Sequence, residues 1–408
     1  MRKYGVIGAR PLAVAAALLA ALAALAEPAS AQTLRERLDR AITVTGVSRA
    51  QTGAFAFDLR TGRVVYGLNR SRSLAPASNE KLGVALTALD RLGPSYRIRT
   101  QVLGQGTRTG STWNGRLVLR GFGDPTLTSA DLRTLASALR SAGLRRVTGR
   151  IAGDESFFDK RRTASGWRAS YYKNESPPLS ALVVDRARVA GRTVDNPALA
   201  AARAFRRALV AAGIQVGGRA VVDAAPQTAT PLATIRSGPV RAIVRRMNKI
   251  SDNFYAEMLV KHLGAVVRGA GTTTAGCIVV RRELEERGVP LVGVRIADGS
   301  GLSSYDRTTA NAVGRTLLSA WRDAALRDPF VASLAIAGVD GTLKDRMQAG
   351  PARGRVRAKT GTLDTASALS GYAGTRYVFA ILQNGYPISW SRARLSQDRF
   401  AQTLAGAL

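Results

Sequence analysis

An α+β fold is predicted for this 408-residue chain: an antiparallel sheet built from both chain ends, flanked by helices, with a second α+β domain inserted into it. Three observations predict it. Strand-like runs stand near both ends, at 54–57 and 64–66 early and at 356–360, 367–372 and 377–382 late. Helical periodicity dominates 240–325 between them. Residues 95–235 differ from both, mixing short strands and helices under frequent Gly and Pro. The expected boundaries are 1–31 for an export segment, 32–94 and 236–408 for the main domain, and 95–235 for the insert.

Taken in order, residues 1–31 read as a secretory signal peptide. Arg2, Lys3 and Arg10 make a positive start, 12–26 is an apolar run rich in Ala and Leu, and Ala29-Ser30-Ala31 is a small-x-small cleavage site. The apolar run is shorter than the ~20 residues a bilayer span needs. The start has no Arg-Arg pair and the segment no Cys to carry a lipid, which disfavours twin-arginine export and a lipid anchor. A mature chain from Gln32 has no further stretch apolar enough to span a membrane. The expected location is therefore secreted, periplasmic or in the cell-wall space, where ATP and nicotinamide cofactors are scarce; kinases and dehydrogenases are disfavoured. Leu34, Leu38 and Ile42 then fall on one helix face, and the runs 54–57 and 64–66 flank a Gly62 turn as a hairpin. Residues 76–92 form a buried helix that carries a Ser at its start and stops at Gly93-Pro94. The insert has short strands at 117–119, 147–151 and 182–184 and amphipathic helices at 131–142 and 197–212. Further helices are expected at 240–249, 253–264, 272–287 and 308–325, and a last one at 391–406.

Sixty Lys and Arg stand against 28 Asp and Glu, a net charge of +32. Only 8 of the bases are Lys. Two readings fit: attraction to a polyanion (nucleic acid, anionic lipid or an acidic wall polymer), or an arginine-biased background with charge spread everywhere. The arginines come singly and in pairs, without a basic tail or a stripe interleaved with aromatics, so no nucleic-acid partner is expected. One Cys excludes a disulfide framework and a thiolate metal cluster within the chain. One His excludes a His-rich metal site and leaves a Ser-His-Asp mechanism resting on His262 alone. His262 and Cys277 read as structural side chains on helices.

Three motifs can carry chemistry. Ser78-Asn79-Glu80-Lys81 places a hydroxyl and an amine at i, i+3 on a helix start, where a neutral Lys81 could take the Ser78 proton. The plain alternative is an N-cap Ser with a surface Lys. The helix dipole opposes a cation there and would lower its pKa; bringing a Lys near 7 needs roughly 4–5 kcal/mol, so burial and a second cation must help. A second Ser-x-x-Lys step, at Ser170 and Lys173, has no helix behind it and reads as chance. Ser251-Asp252-Asn253 lies at a break between two helices, where Ser251 could relay a proton and Asn253 could hold both Lys81 and a carbonyl; a helix cap is the alternative. Lys359-Thr360-Gly361-Thr362 sits on a late strand. There Lys359 and the hydroxyls could bind a carboxylate, while Gly361 would let a peptide backbone lie along the edge. Backbone N–H groups of Ser78 and Thr362 could form an oxyanion hole. A solvated strand end is the alternative.

Together and in this order, the three motifs resemble the active-serine set of β-lactamases and penicillin-binding proteins. Within that superfamily the chain resembles the D-alanyl-D-alanine carboxypeptidase/endopeptidase family, the low-molecular-mass class C penicillin-binding proteins. The likeness is carried by 251–257 (Ser-Asp-Asn-Phe-Tyr-Ala-Glu), 298–303 (Asp-Gly-Ser-Gly-Leu-Ser), 337–343 (Ala-Gly-Val-Asp-Gly-Thr-Leu), 358–363 and, in the insert, 123–127 (Gly-Asp-Pro-Thr-Leu). The resemblance implies a β-lactamase/transpeptidase-like domain and a serine D-Ala-D-Ala carboxypeptidase, with endopeptidase action on cross-links as a second outcome. It implies Ser78 as nucleophile, Lys81 as base, Ser251 as proton relay and Asn253 as the group orienting Lys81. Lys359, Thr360, Gly361 and Thr362 would bind substrate and shape the oxyanion hole. Partners would be peptidoglycan stem peptides, with β-lactams as inhibitors; no metal or organic cofactor is needed. The insert between Ser78 and Ser251 looks shorter than in larger relatives, as if a further subdomain were missing. A serine β-lactamase, a catalytically idle wall-binding relative and a basic nucleic-acid binder are the other classes.

Overall fold

The computed structural model describes residues 1–4 and 32–408. Nearly all of the expected signal peptide, 5–31, lies outside the described residues.

Helix α1 (Leu34–Ile42) opens on a capping box between Thr33 and Glu36 and buries Leu38, Ala41 and Ile42. Strands β1 (Thr52–Asp58) and β2 (Arg63–Leu68) form the expected hairpin. A 3₁₀ turn (Ala77–Glu80) leads into α2 (Lys81–Arg91). In the insert follow β3 (Arg99–Thr109), β4 (Thr112–Gly121), α3 (Ser129–Ser141), β5 (Arg146–Val147), β6 (Ile151–Asp154), the small ribbon β7 (Arg188–Val189) and β8 (Arg192–Thr193), α4 (Pro197–Ala211), β9 (Gln215–Val216), β10 (Ala220–Val222) and β11 (Thr230–Arg236). Helices α5 (Val240–Lys249), α6 (Asn253–Arg268), α7 (Thr273–Glu286), α8 (Ala310–Arg322) and α9 (Ala324–Ser333) return to the main body. The chain closes with β12 (Ala335–Ile336), β13 (Val356–Leu363), β14 (Ala366–Ala373), β15 (Tyr377–Asn384) and α10 (Trp390–Ala405).

The main sheet has the order β12-β13-β14-β15-β1-β2, antiparallel throughout. It joins both chain regions through β1 against β15, with Phe55 opposite Ala380. Strands β14 and β15 are buried almost from end to end because helices cover both faces. One face packs on α2 and α5–α9, the other on α1 and α10. The insert sheet runs β10-β6-β4-β3-β11, with β5 and β9 beside it, and α3 and α4 share its core. No single helix among the described residues is long and apolar enough to cross a membrane.

Three expectations need correction. Residues 182–184 form no strand. Their side chains nevertheless alternate between two cores: Leu182 and Val184 enter the insert core, Ala181 and Val183 the main one. The apolar alternation was real, but two layers satisfy it without a ladder. The helix expected over 308–325 breaks at Asp323, which takes an extended conformation and caps α9 by accepting from the N–H groups of Ala325 and Leu326. The strand expected over 147–151 is in fact two, β5 ending at Val147 and β6 starting at Ile151. Strands β3 and β11, for which the sequence raised no expectation, show no clear period because their exposed halves are Gly, Thr, Gln and Arg, and Pro231 sits on an edge strand.

Candidate active site

The three motifs converge. Ala77 takes φ +47°, outside the usual range for a side-chain-bearing residue, and the 3₁₀ turn it begins projects Ser78 into a cleft. Helix α2 starts only at Lys81, so the expected first-turn geometry is in fact a tighter turn. Asn79 is buried and donates to the Lys359 carbonyl (3.2 Å), tying the serine turn to β13. A Cβ built on Gly361 would stand 3.1 Å from both the Ala77 Cβ and the Pro76 carbonyl oxygen, so strand and turn nearly touch.

Lys81 is fully buried. Its Nζ lies 2.9 Å from Ser78 Oγ, 2.8 Å from Asn253 Oδ1 and 2.6 Å from the Ser300 carbonyl. The Asn253 orientation is fixed from its far side, where Nδ2 donates to the Glu175 carbonyl (3.2 Å) and carboxylate (3.4 Å). Two of the three Lys81 partners are carbonyl oxygens, which only accept. A neutral amine has two hydrogens and one lone pair. Once the hydrogens go to Asn253 and Ser300, the lone pair faces the Ser78 hydroxyl.

Burial lowers the Lys81 pKa from 10.5 to about 8, against the opposing pull of Asp298, Glu257, Asp252 and Glu80. Removal from water, which the motif required beside the helix dipole, is thus the first cause. Beneath Lys81, Glu257 Oε1 accepts from the N–H groups of Gly299 (3.0 Å) and Ser300 (2.8 Å), which presents the Ser300 carbonyl to the amine. Burial and repulsion from Asp298 raise Glu257 to about 8 and push Glu80 and Asp306 well above the ordinary carboxyl range. Four donors converge on Asp298: Gly301 N, Ser303 N, Ser300 Oγ and the Trp167 indole. Asp298 thus folds the 298–303 turn. Gly301 in that turn has φ +81°, and a Cβ there would lie 1.9 Å from the Ala77 carbonyl oxygen. Gly301→Ala is expected to push the serine turn away and cut penicillin labelling by about 10²-fold although Ser78 is intact, read as the acylation rate.

Ser251 also has positive φ (+58°), in the short link between α5 and α6. Asp252 caps α6 through the Tyr255 N–H (3.3 Å) and is gripped by Arg186 of the insert at 2.7 and 3.2 Å. Lys359 is fully buried on β13, and its Nζ donates to Ser251 Oγ (2.8 Å) and the Thr360 carbonyl (2.7 Å). Burial and the nearby Lys81 charge lower its pKa well below 10.5. Thr360 Oγ1 donates to Thr342 Oγ1 (2.8 Å). Strand β12 pairs only with Arg357 and Ala358, leaving the 359–363 edge without a strand partner among the described residues.

The cleft between these groups has a volume of about 550 Å³; Ser78, Ser251, Asn253, Thr360 and Thr362 line it. The geometry also brings in residues that the motifs did not identify: Thr342, Glu175, Arg346 and Arg394. Thr342 lay in a stretch already singled out for its resemblance. Glu175 follows the Ser170/Lys173 step dismissed as chance; Lys173 indeed pairs with Asp195 (2.7 Å) instead of Ser170. Arg346 and Arg394 gave no local signal. His262 and Cys277 are buried as expected, with His262 Nδ1 on the Phe122 carbonyl (2.8 Å).

The fold is that of the penicillin-binding proteins. It superposes on penicillin-binding protein 4 of Haemophilus influenzae with a TM-score of 0.80 at 22% identity, covering 92% of this chain and 99% of that one. The penicillin G-acylated predatory endopeptidase of Bdellovibrio bacteriovorus gives 0.54 at 19% identity over 87% and 91%. In sequence, the chain is 31% identical to a D-alanyl-D-alanine carboxypeptidase of Actinomadura sp. (strain R39), over 95% of this chain and 88% of the relative. The D-Ala-D-Ala carboxypeptidase 3 (S13) family model matches residues 34–192 and 187–406. The chain belongs to that family.

Proposed function

We propose that this chain is an exported serine DD-peptidase that removes the terminal D-alanine from peptidoglycan stem peptides and is acylated by β-lactams. The observation that carries the reading is the buried Lys81 amine, 2.9 Å from Ser78 Oγ and held there by two carbonyl acceptors. Lys81 takes the Ser78 proton as Oγ attacks the carbonyl carbon of the penultimate residue. The oxyanion that forms sits against the N–H groups of Ser78 and Thr362. Ser251, held by Lys359, passes a proton to the departing D-alanine amine, and the C–N bond breaks to leave an ester on Ser78. Water then hydrolyses the ester and restores the hydroxyl. Lys359, Thr360 and Thr362, with Thr342 beside them, hold the terminal carboxylate; Gly361 lets the peptide lie against β13. Asn253 orients Lys81 and the acyl amide.

The same reading takes 32–94 and 236–408 as the catalytic domain and 95–235 as the insert, with Trp167, Glu175 and Arg186 as the insert's contribution to the cleft region. It takes 1–31 as the export signal and the scattered arginines as loose attraction to an anionic wall. Cross-link cleavage would use the same acyl-enzyme with a larger leaving group.

The test is intact mass after penicillin treatment together with D-alanine release from a pentapeptide ending in D-Ala-D-Ala. A long-lived adduct of one penicillin with measurable D-alanine release supports the peptidase; rapid release of hydrolysed penicillin without peptide cleavage supports a β-lactamase instead. The pH dependence follows from Lys81. The base is the neutral amine, which predominates above its pKa, so the acylation rate constant is expected to rise with pH and level off above about 8. A rate constant flat from pH 6 to 10 in stopped-flow labelling would remove Lys81 from the base role.

A further inference from the structure

The geometry points to a saccharide-binding platform, formed by Tyr386 and Trp390, that receives an amino-sugar ring of the glycan to which the stem peptide is attached. This rests on the DD-peptidase reading above and adds a second ligand class. A peptide whose C-terminal carboxylate is held at Lys359 and Thr360 can add as a strand only along the open edge that continues through Thr362 to Leu363. Its upstream residues therefore leave the cleft past Asp364. Three extended residues cover about 10 Å, enough to carry the peptide's amino end beyond the end of β13.

A second cavity of about 940 Å³ lies there, and Arg394 lines both it and the cleft. Its floor and walls include Tyr386, Pro387, Ile388, Trp390 and Ser391. Tyr386 is 87% exposed and Trp390 43%. The indole is nevertheless fixed, because Nε1 donates to the Leu363 carbonyl at 2.9 Å, at the last residue of β13. An Arg168–Asp364 ion pair (2.6 Å) closes the insert side. Two exposed rings beside a hydroxyl and a guanidinium suit a pyranose, which has apolar C–H faces for stacking and a hydroxyl rim for hydrogen bonds. The platform is joined to the cleft at the end from which the glycan-linked part of the substrate must emerge. That continuity selects sugar as its occupant.

The test compares two substrates: the free pentapeptide ending in D-Ala-D-Ala, and the same peptide on its N-acetylglucosaminyl–N-acetylmuramyl disaccharide. The disaccharide form is expected to have a kcat/KM about tenfold higher, through KM, as one stacked ring supplies. In Tyr386→Ala that ratio is expected to fall near one, with the free-peptide rate unchanged. Equal values in the wild type, or equal losses on both substrates in the variant, would overturn the platform. The N-acetylglucosamine tetramer, titrated into the whole protein, is a peptide-free probe: it should quench tryptophan fluorescence, and Trp390→Phe or Tyr386→Ala should abolish the quench. Absence of quenching in the wild type also overturns the platform. Quenching in a protein that cleaves neither peptide supports the sugar site and sinks the peptidase reading, so the two failures are distinguishable.

Discussion

Ser78→Ala protein incubated with penicillin is expected to show the unmodified mass, and its release of D-alanine is expected to fall by about 10⁴-fold or more. The size follows from what is lost. The other groups can bind and polarise a carbonyl, but without the Ser78 oxygen no ester forms, and a water would have to occupy the same position without the same tether. The fold should survive. Ser78 is only partly buried, and Lys81 keeps its bonds to Asn253 and Ser300, so the change in stability should stay within about 1 kcal/mol. Mass spectrometry and thermal unfolding on one sample therefore separate chemistry from folding. A penicillin adduct that persists in this variant would mean that another hydroxyl is the nucleophile.

Lys359→Met should become more stable while losing most activity. Lys359 is fully buried, its hydrogen-bond partners are a hydroxyl and a carbonyl, and the charge that acts on it is the cation of Lys81. A buried charge without an anionic partner is a cost that a similar apolar side chain removes, at roughly 1–4 kcal/mol. In a chain of this size that is a rise of several degrees in Tm, at about 2–4 °C per kcal/mol. The sign with pH is definite. The folded-state pKa lies below the unfolded value of 10.5, so the wild type bears the full cost where both states are protonated, below the folded pKa. The cost fades as pH rises from there towards 10.5. The stability gain in Lys359→Met should thus be largest below the folded-state pKa and shrink as pH rises from there towards 10.5. Turnover should fall by about 10²–10³-fold because the substrate carboxylate and the Ser251 hydroxyl lose their shared cation. A variant less stable than the wild type at pH 7 would show that Lys359 has a stabilising partner after all.

Both predictions concern residues legible from sequence, and the reason is local. Ser78 and Lys81 are fixed by a spacing of three, Ser251 and Asn253 by a helix break, and Lys359 by a strand, so each motif carries its own geometry. Their convergence was legible only through the combination of the three. What could not be read depends on contacts across the chain. Glu175 meets Asn253 over 78 positions, and Thr342 meets Thr360 through a turn held by Gly341 at φ +58°. The Lys81 pKa was legible in part: burial was expected to lower it, but the carboxyls of Asp298, Glu257 and Asp252 that pull against burial lie far away in the sequence. In the fold, the late strands and most helices followed from period. The strands at 99–109 and 230–236 did not, because Gly, Thr and Arg on their outer halves carry no apolar alternation.

The pairing of Thr52–Asp58 with Tyr377–Asn384 has a kinetic consequence. A ribosome releases the first partner more than three hundred residues before the second, and the loop between must close before either gains a neighbour. Until synthesis is almost complete, the early hairpin has no lasting shelter and the central layer cannot consolidate. If the chain is exported as proposed, such high contact order would keep the nascent polypeptide loose while a narrow translocation channel accepts it, and would concentrate tight folding on the far side.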